Sequence, residues 1–182
     1  MDAWKIDPQG LLPAAQFIES PNRDARPQGT EISMVVIHNI SLPPGQYGSN
    51  DVANLFCNHL DPQAHPYFAN IYQNRVSTHF FIRRDGSLLQ FVPCLQRAWH
   101  AGASSWQGRE RCNDFSVGIE LEGCDTEAFG NGQYETLNQL LQALKHAYPI
   151  KDIIGHSDIA PGRKTDPGPC FDWKRIKTDQ AC

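Results

Sequence analysis

The stretch QYETLNQLLQALKHAY, residues 133–148, constrains the fold more than any other part of the chain. Leu137, Leu140, Leu141, Leu144 and Tyr148 recur at the helical period and make one apolar stripe, and Pro149 stops the helix. Such a stripe is buried against another layer of structure, and the short apolar runs around it read as that layer. MVVI (34–37) is rich in β-branched residues and predicts a buried strand that stops at His38. HFFI (79–82) and SLLQFV (87–92) predict a hairpin, with Asp85-Gly86 as its turn signal. SVGIEL (116–121) predicts a strand with Glu120 near its end, and DII (152–154) a last strand that delivers His156 just beyond it. Val52, Leu55, Phe56 and Leu60 mark a second helical face, with Ser49 or Asn50 as its cap. These elements predict an α/β fold: a single domain over residues 1–182 with a mixed central β-sheet flanked by helices. Residues 1–30, punctuated by Pro, Asn and Arg, read as an irregular lead-in packed on the domain.

Composition removes several classes of function. A net charge of -4 without a basic run argues against a nucleic-acid partner. No span approaches the roughly 18 consecutive apolar residues of a membrane helix, so no membrane partner is expected. The opening MDAWKIDPQGLLPAAQFIES lacks a basic start and a long apolar run, so it does not read as a signal peptide. Cys57, Cys94, Cys112, Cys124, Cys170 and Cys182 are scattered and form no C-x-x-C pair. They predict reduced, mostly buried thiols, not a disulfide framework, a zinc knuckle or a redox centre.

GHSDIAPGRKTDPG (155–168) has neither helical period nor alternation, yet holds His156, Asp158, Arg163, Lys164 and Asp166. Two apolar runs thus lead into histidine, at His38 and His156, beside Gly/Pro loops where α/β folds open a crevice. A third ligand is wanted, and both Asp158 and Asp166 are available, while His79 and His100 compete with the chosen histidines. Two histidines and a carboxylate would leave one position of a tetrahedral zinc open, the arrangement of a hydrolytic site. On an extended segment Lys164 would share a side with Asp166, where a cation is tolerated if a developing oxyanion lies between it and the metal. In GIELEG, Glu120 lies deeper in the strand than Glu122 and could take a proton from water at the metal; an edge carboxylate paired with an arginine is the competing reading.

VVIHNISLPPGQYG, RDG, AWHAG (98–102), GRERCNDFSVGIELEG (108–123) and GHSDIAPGRKTDPG follow one another in an order that resembles the zinc-dependent N-acetylmuramoyl-L-alanine amidases. The similarity spans nearly the whole chain and is strongest to their cytoplasmic type, which acts on 1,6-anhydromuramoyl peptides. It implies Zn2+ held by His38, His156 and Asp166, with Glu120 as general base and Lys164 as electrophilic support. It further implies that Asn39, Arg75, Trp99 and Arg111 lie near substrate, and that His79 and His100 are supporting or structural. The implied substrate is a small muropeptide, cut between the lactyl group of the sugar and L-alanine by a cytoplasmic monomer. An exported amidase acting on intact peptidoglycan and a muropeptide-binding module without catalysis are the alternatives.

Overall fold

A computed structural model describes residues 2–177. Among these the strands are β1 (Gln16–Phe17), β2 (Arg23–Ala25), β3 (Met34–Ile40), β4 (Phe80–Ile82), β5 (Leu88–Gln90), β6 (Gln96–Ala98), β7 (Ser105–Trp106), β8 (Arg109–Glu110), β9 (Ser116–Glu122) and β10 (Asp152–Gly155). The helices are α1 (Asp51–Phe56), α2 (Asn131–Ala147) and α3 (His156–Ile159). Six strands form the central sheet in the order β1-β5-β4-β9-β3-β10. Its middle is parallel, β4 with β9, β9 with β3 and β3 with β10, and β5 runs antiparallel to β4. The predicted mixed α/β sheet is therefore the one observed.

Side-chain alternation divides the sheet into two unlike faces. Val35 and Ile37 of β3 and Val117, Ile119 and Leu121 of β9 pack against Leu137, Leu140, Leu141 and Leu144 of α2. Each such fully buried side chain contributes about 1.5–3 kcal/mol relative to exposure. The intervening residues point the other way. There Leu55 and Phe56 of α1 cover Phe81 and Leu89, while Met34 and Val36 meet Phe115 and Ile159. Between these two patches the sheet carries polar side chains.

Several boundaries differ from expectation for identifiable reasons. β3 does not stop at His38: it continues to Ile40 because β9 pairs with it in register as far as Ile40 opposite Glu122. The lead-in is not wholly irregular, since β1 adds a parallel edge beside β5 and β2 pairs with β6. α2 starts at Asn131, where the buried Gln133 accepts from the Gly130 N–H at 3.0 Å and donates to the Glu122 carbonyl at 3.0 Å. That start is crowded: a Cβ on Gly86, which has φ +86°, would come within 2.9 Å of the Gly132 carbonyl oxygen. α1 ends at Phe56, ahead of Leu60; Asn50 holds the N-cap position but makes no side-chain capping hydrogen bond, its amide oxygen accepting from Arg83 at 2.7 Å. All five described cysteines are free, but only Cys94 and Cys112 are buried, so the thiols are not mostly interior; Cys182 lies outside the described residues.

Candidate active site

His38 and Glu120 are partners across the parallel β3–β9 ladder, so their side chains rise from the same face of the sheet. β10 ends at Gly155, and His156 opens α3 on the next residue. Asp166 is brought back to it by a hydrogen bond from the Ser157 N–H to the Asp166 carbonyl, 2.9 Å. Asp158, the competing carboxylate, is engaged elsewhere: it accepts from the Gly155 N–H at 2.8 Å.

The three remaining groups converge. His38 Nδ1 lies 3.0 Å from His156 Nδ1, and each of these nitrogens lies 3.0 Å from Asp166 Oδ2. The rings are 1% and 3% exposed. His156 Nε2 is 3.1 Å from the Ala101 carbonyl, which can only accept, so Nε2 carries a proton and Nδ1 is the nitrogen turned into the triangle. Burial drives the His38 pKa down to about 4, which keeps its ring neutral near pH 7. Burial works to raise Asp166, but the imidazoles of His156 and His38 beside it prevail and hold its carboxyl far below the usual range. Acceptor atoms this close repel unless a cation or a proton lies among them. The set therefore fits a metal ion, and two imidazoles with one carboxylate suit zinc with a free coordination position.

Glu120 Oε1 stands 4.0 Å from His38 Nδ1, and Glu120 Oε2 is buried with no hydrogen-bond partner among the described residues. Burial, then the nearby Asp166 charge, pushes its pKa well above the ordinary value, with Lys164 partly offsetting both. Glu122, two residues on, has a different fate. Its carboxylate accepts from the Gly48 N–H at 2.6 Å and the Arg84 N–H at 2.9 Å, which ties the loop after β3 to the sheet. Lys164 lines the same cleft as His38, Glu120, His156 and Asp166. Its backbone N–H closes the preceding turn on the Ala160 carbonyl at 3.0 Å. Lys164 and Asp166 thus share the cleft, two residues apart after that turn.

Of the expected substrate contacts, Asn39 and Trp99 line the cleft. Asn39 is held by Asp125 Oδ1 at 2.7 Å and the Pro167 carbonyl at 3.0 Å. Arg75 and Arg111 are not among the lining residues. Arg75 is exposed and reaches Asn58 at 3.3 Å, while Arg111 lies 3.4 Å from Asp114. Tyr67 and Ile71 add an apolar wall that the sequence reading left unassigned, since a 3-10 turn over Phe68–Asn70 shows neither period. Arg163 donates to the carbonyls of Ala101 (2.7 Å) and Ala103 (2.6 Å), fastening the Asp166 loop to the strand-connecting segment around Ala101.

Comparison with known proteins identifies relatives over most of the chain. Residues 28–169 match the N-acetylmuramoyl-L-alanine amidase family. The 1,6-anhydro-N-acetylmuramyl-L-alanine amidase AmpD of Escherichia coli (strain K12) is 54% identical over 171 residues, 93% of this chain and 93% of the relative. A crystal structure of an Se-Met AmpD derivative superposes with a TM-score of 0.91 at 55% identity, over 92% of this chain and 95% of that one. A complex of the E. coli amidase AmiD with anhydro-N-acetylmuramic acid-L-Ala-D-gamma-Glu-L-Lys superposes with a TM-score of 0.60 at 29% identity, over 83% of this chain and 59% of that one. This chain belongs to the N-acetylmuramoyl-L-alanine amidase family, in its AmpD branch.

Proposed function

We propose that the chain hydrolyses the amide between the lactyl group of 1,6-anhydro-N-acetylmuramic acid and L-alanine, using zinc, in cytoplasmic peptidoglycan recycling. The observation that carries this reading is the 3.0 Å triangle of His38, His156 and Asp166 with Glu120 and Lys164 in the same cleft. The identity of 54% to AmpD over 93% of both chains supports the anhydro-sugar substrate. No described helix is long and apolar enough to cross a membrane.

His38, His156 and Asp166 would hold the ion, which supplies Lewis acidity, polarising the carbonyl and lowering the pKa of water to roughly 7. The chain's own groups do the rest. Glu120 has an oxygen without a partner among the described residues and a raised pKa, so it suits accepting a proton. It takes the proton from the attacking water and hands it to the departing alanine nitrogen. The Lys164 ammonium, with no side-chain partner among the described residues, stabilises negative charge growing on the carbonyl oxygen. Trp99 and Tyr67 offer flat apolar surface to the sugar, and Asn39, immobilised by Asp125, offers a fixed amide.

Mass spectrometry of products from a synthetic 1,6-anhydro-N-acetylmuramoyl-tripeptide tests this. The zinc-loaded protein should release anhydromuramic acid and free tripeptide, chelator should stop it, and zinc should restore it. An uncut substrate after zinc reloading, or faster cleavage of intact peptidoglycan, would overturn the reading.

A further inference from the structure

The segment after β6 touches both imidazoles of the triangle. The Ala101 carbonyl receives the Nε2 proton of His156 at 3.1 Å. One residue earlier, His100 Nδ1 lies 2.9 Å from His38 Nε2. Beyond it, His100 Nε2 lies 3.1 Å from Ser116 Oγ. We propose that His100 is a positioning residue: its Nδ1 accepts the Nε2 proton of His38, which leaves His38 Nδ1 unprotonated toward the triangle. The inference rests on the reading of that triangle as a zinc site.

The geometry holds His100 to this task. Its backbone N–H and that of Ala101 both donate to Asn113 Oδ1, at 3.2 and 2.8 Å. Its ring lies where β9 has no side chain, since a Cβ on Gly118 would come within 2.5 Å of His100 Cγ. Glycine at this point of a strand therefore has a packing reason. His79 packs edge-on to His100 with ring centroids 5.8 Å apart, and is itself fixed by the Gly118 N–H at 3.0 Å and the Gln96 carbonyl at 3.0 Å. His38 meets His100 nearly perpendicular, at 85°. The only partner of His38 Nε2 among the described residues is therefore held from three sides.

The consequence is a directed proton chain from His38 Nε2–H to His100 Nδ1 and from His100 Nε2–H to Ser116 Oγ. Were His100 to present a proton at Nδ1 instead, the His38 proton would have to sit on Nδ1, in the space that the metal needs. Groups of this kind around a metal-binding histidine affect affinity by about 10–100-fold.

Zinc dissociation constants of the full-length protein, measured by competition with a chromophoric chelator, test the assignment. His100→Leu should bind zinc about 10–100-fold more weakly. His100→Asn, whose side-chain oxygen can accept in place of Nδ1, should recover most of that loss. His100→Leu binding as tightly as wild type, or His100→Asn binding as weakly as His100→Leu, would overturn the inference. Long-range proton–nitrogen correlation spectra of zinc-loaded wild type give a check that needs no variant. They should show His100 protonated on Nε2 only; a proton on His100 Nδ1 would overturn the inference as well. Wild type that binds no zinc sinks the zinc reading itself, whereas tight zinc in both wild type and His100→Leu sinks only the role of His100.

Discussion

β3 and β9 each contribute to two surfaces, one residue out of phase. Toward α2 they present Val35, Ile37, Val117, Ile119 and Leu121, all without exposure. Toward the cleft they present His38 and Glu120, with Gly118 left open for the ring of His100. The first face lowers the free energy of the fold by removing apolar area from water. The second holds three acceptor atoms at 3.0 Å and leaves Glu120 Oε2 unpartnered. A buried polar atom without a partner costs roughly 1–3 kcal/mol. The α2 face thus supplies stability while the cleft gathers polar groups at some cost to it, so damage to the two faces should separate in measurement.

The largest effect belongs to the cleft. His38→Ala removes one corner of the triangle, and hydrolysis should fall to background together with loss of bound zinc by atomic absorption. Zinc retained at full occupancy in that variant would break the ligand assignment. Glu120→Gln should keep zinc but slow turnover by about 10²–10⁴-fold, because an amide cannot relay the proton. The same variant should lose no stability in chemical denaturation, since it replaces a poorly solvated carboxylate by a neutral group. A Glu120→Gln protein that is both active and destabilised would reverse the proposed division between the faces.

Leu140→Ala probes the other side. Leu140 is fully buried between α2 and the sheet, and truncation there should cost about 2–5 kcal/mol in denaturant titration. Turnover per folded molecule should stay unchanged, because the sheet separates Leu140 from the cleft. A drop in turnover at full folding would mean that the two faces are coupled through the strands.

The same division explains what could be read in the sequence. α2 was visible because one side of it is apolar, and Leu137, Leu140, Leu141 and Leu144 all fall in the core as the period requires. The strands were visible where they are apolar and were lost where they become polar. β3 carries on past His38 through Asn39, since pairing with β9 and not hydropathy keeps it extended. β1 was missed because two residues at a sheet edge make no pattern. In the site, the residue types pointed to a metal, but Asp158 and Asp166 could not be separated by spacing. Their roles depend on whether each meets the Gly155 N–H or the histidines, a matter of turn geometry over 160–166. His100 was one histidine among seven, and what distinguishes it, the contact with His38 and the opening at Gly118, exists only in the fold.

The smallest predicted effect is a pH dependence that isolates Glu120. In chelator-treated protein its folded pKa lies well above the ordinary 4.5. The native state then binds more protons than the unfolded state as pH rises from about 4.5 toward the folded value, so stability falls across that window. One group cannot give a slope steeper than about 1.4 kcal/mol per pH unit. His38 works in the opposite sense: its folded pKa of about 4 lies below the ordinary 6.5, so its contribution to stability rises with pH between those values. A titration of wild type alone would mix the two. Subtracting the stability of Glu120→Gln at each pH cancels the His38 contribution to first order and leaves the carboxylate. The difference should move against wild type as pH rises from about 4.5 and level off once Glu120 is ionised in both states. A difference that stays flat would mean that Glu120 is as well solvated as a surface carboxylate, and the cleft would lose the group proposed to carry its proton.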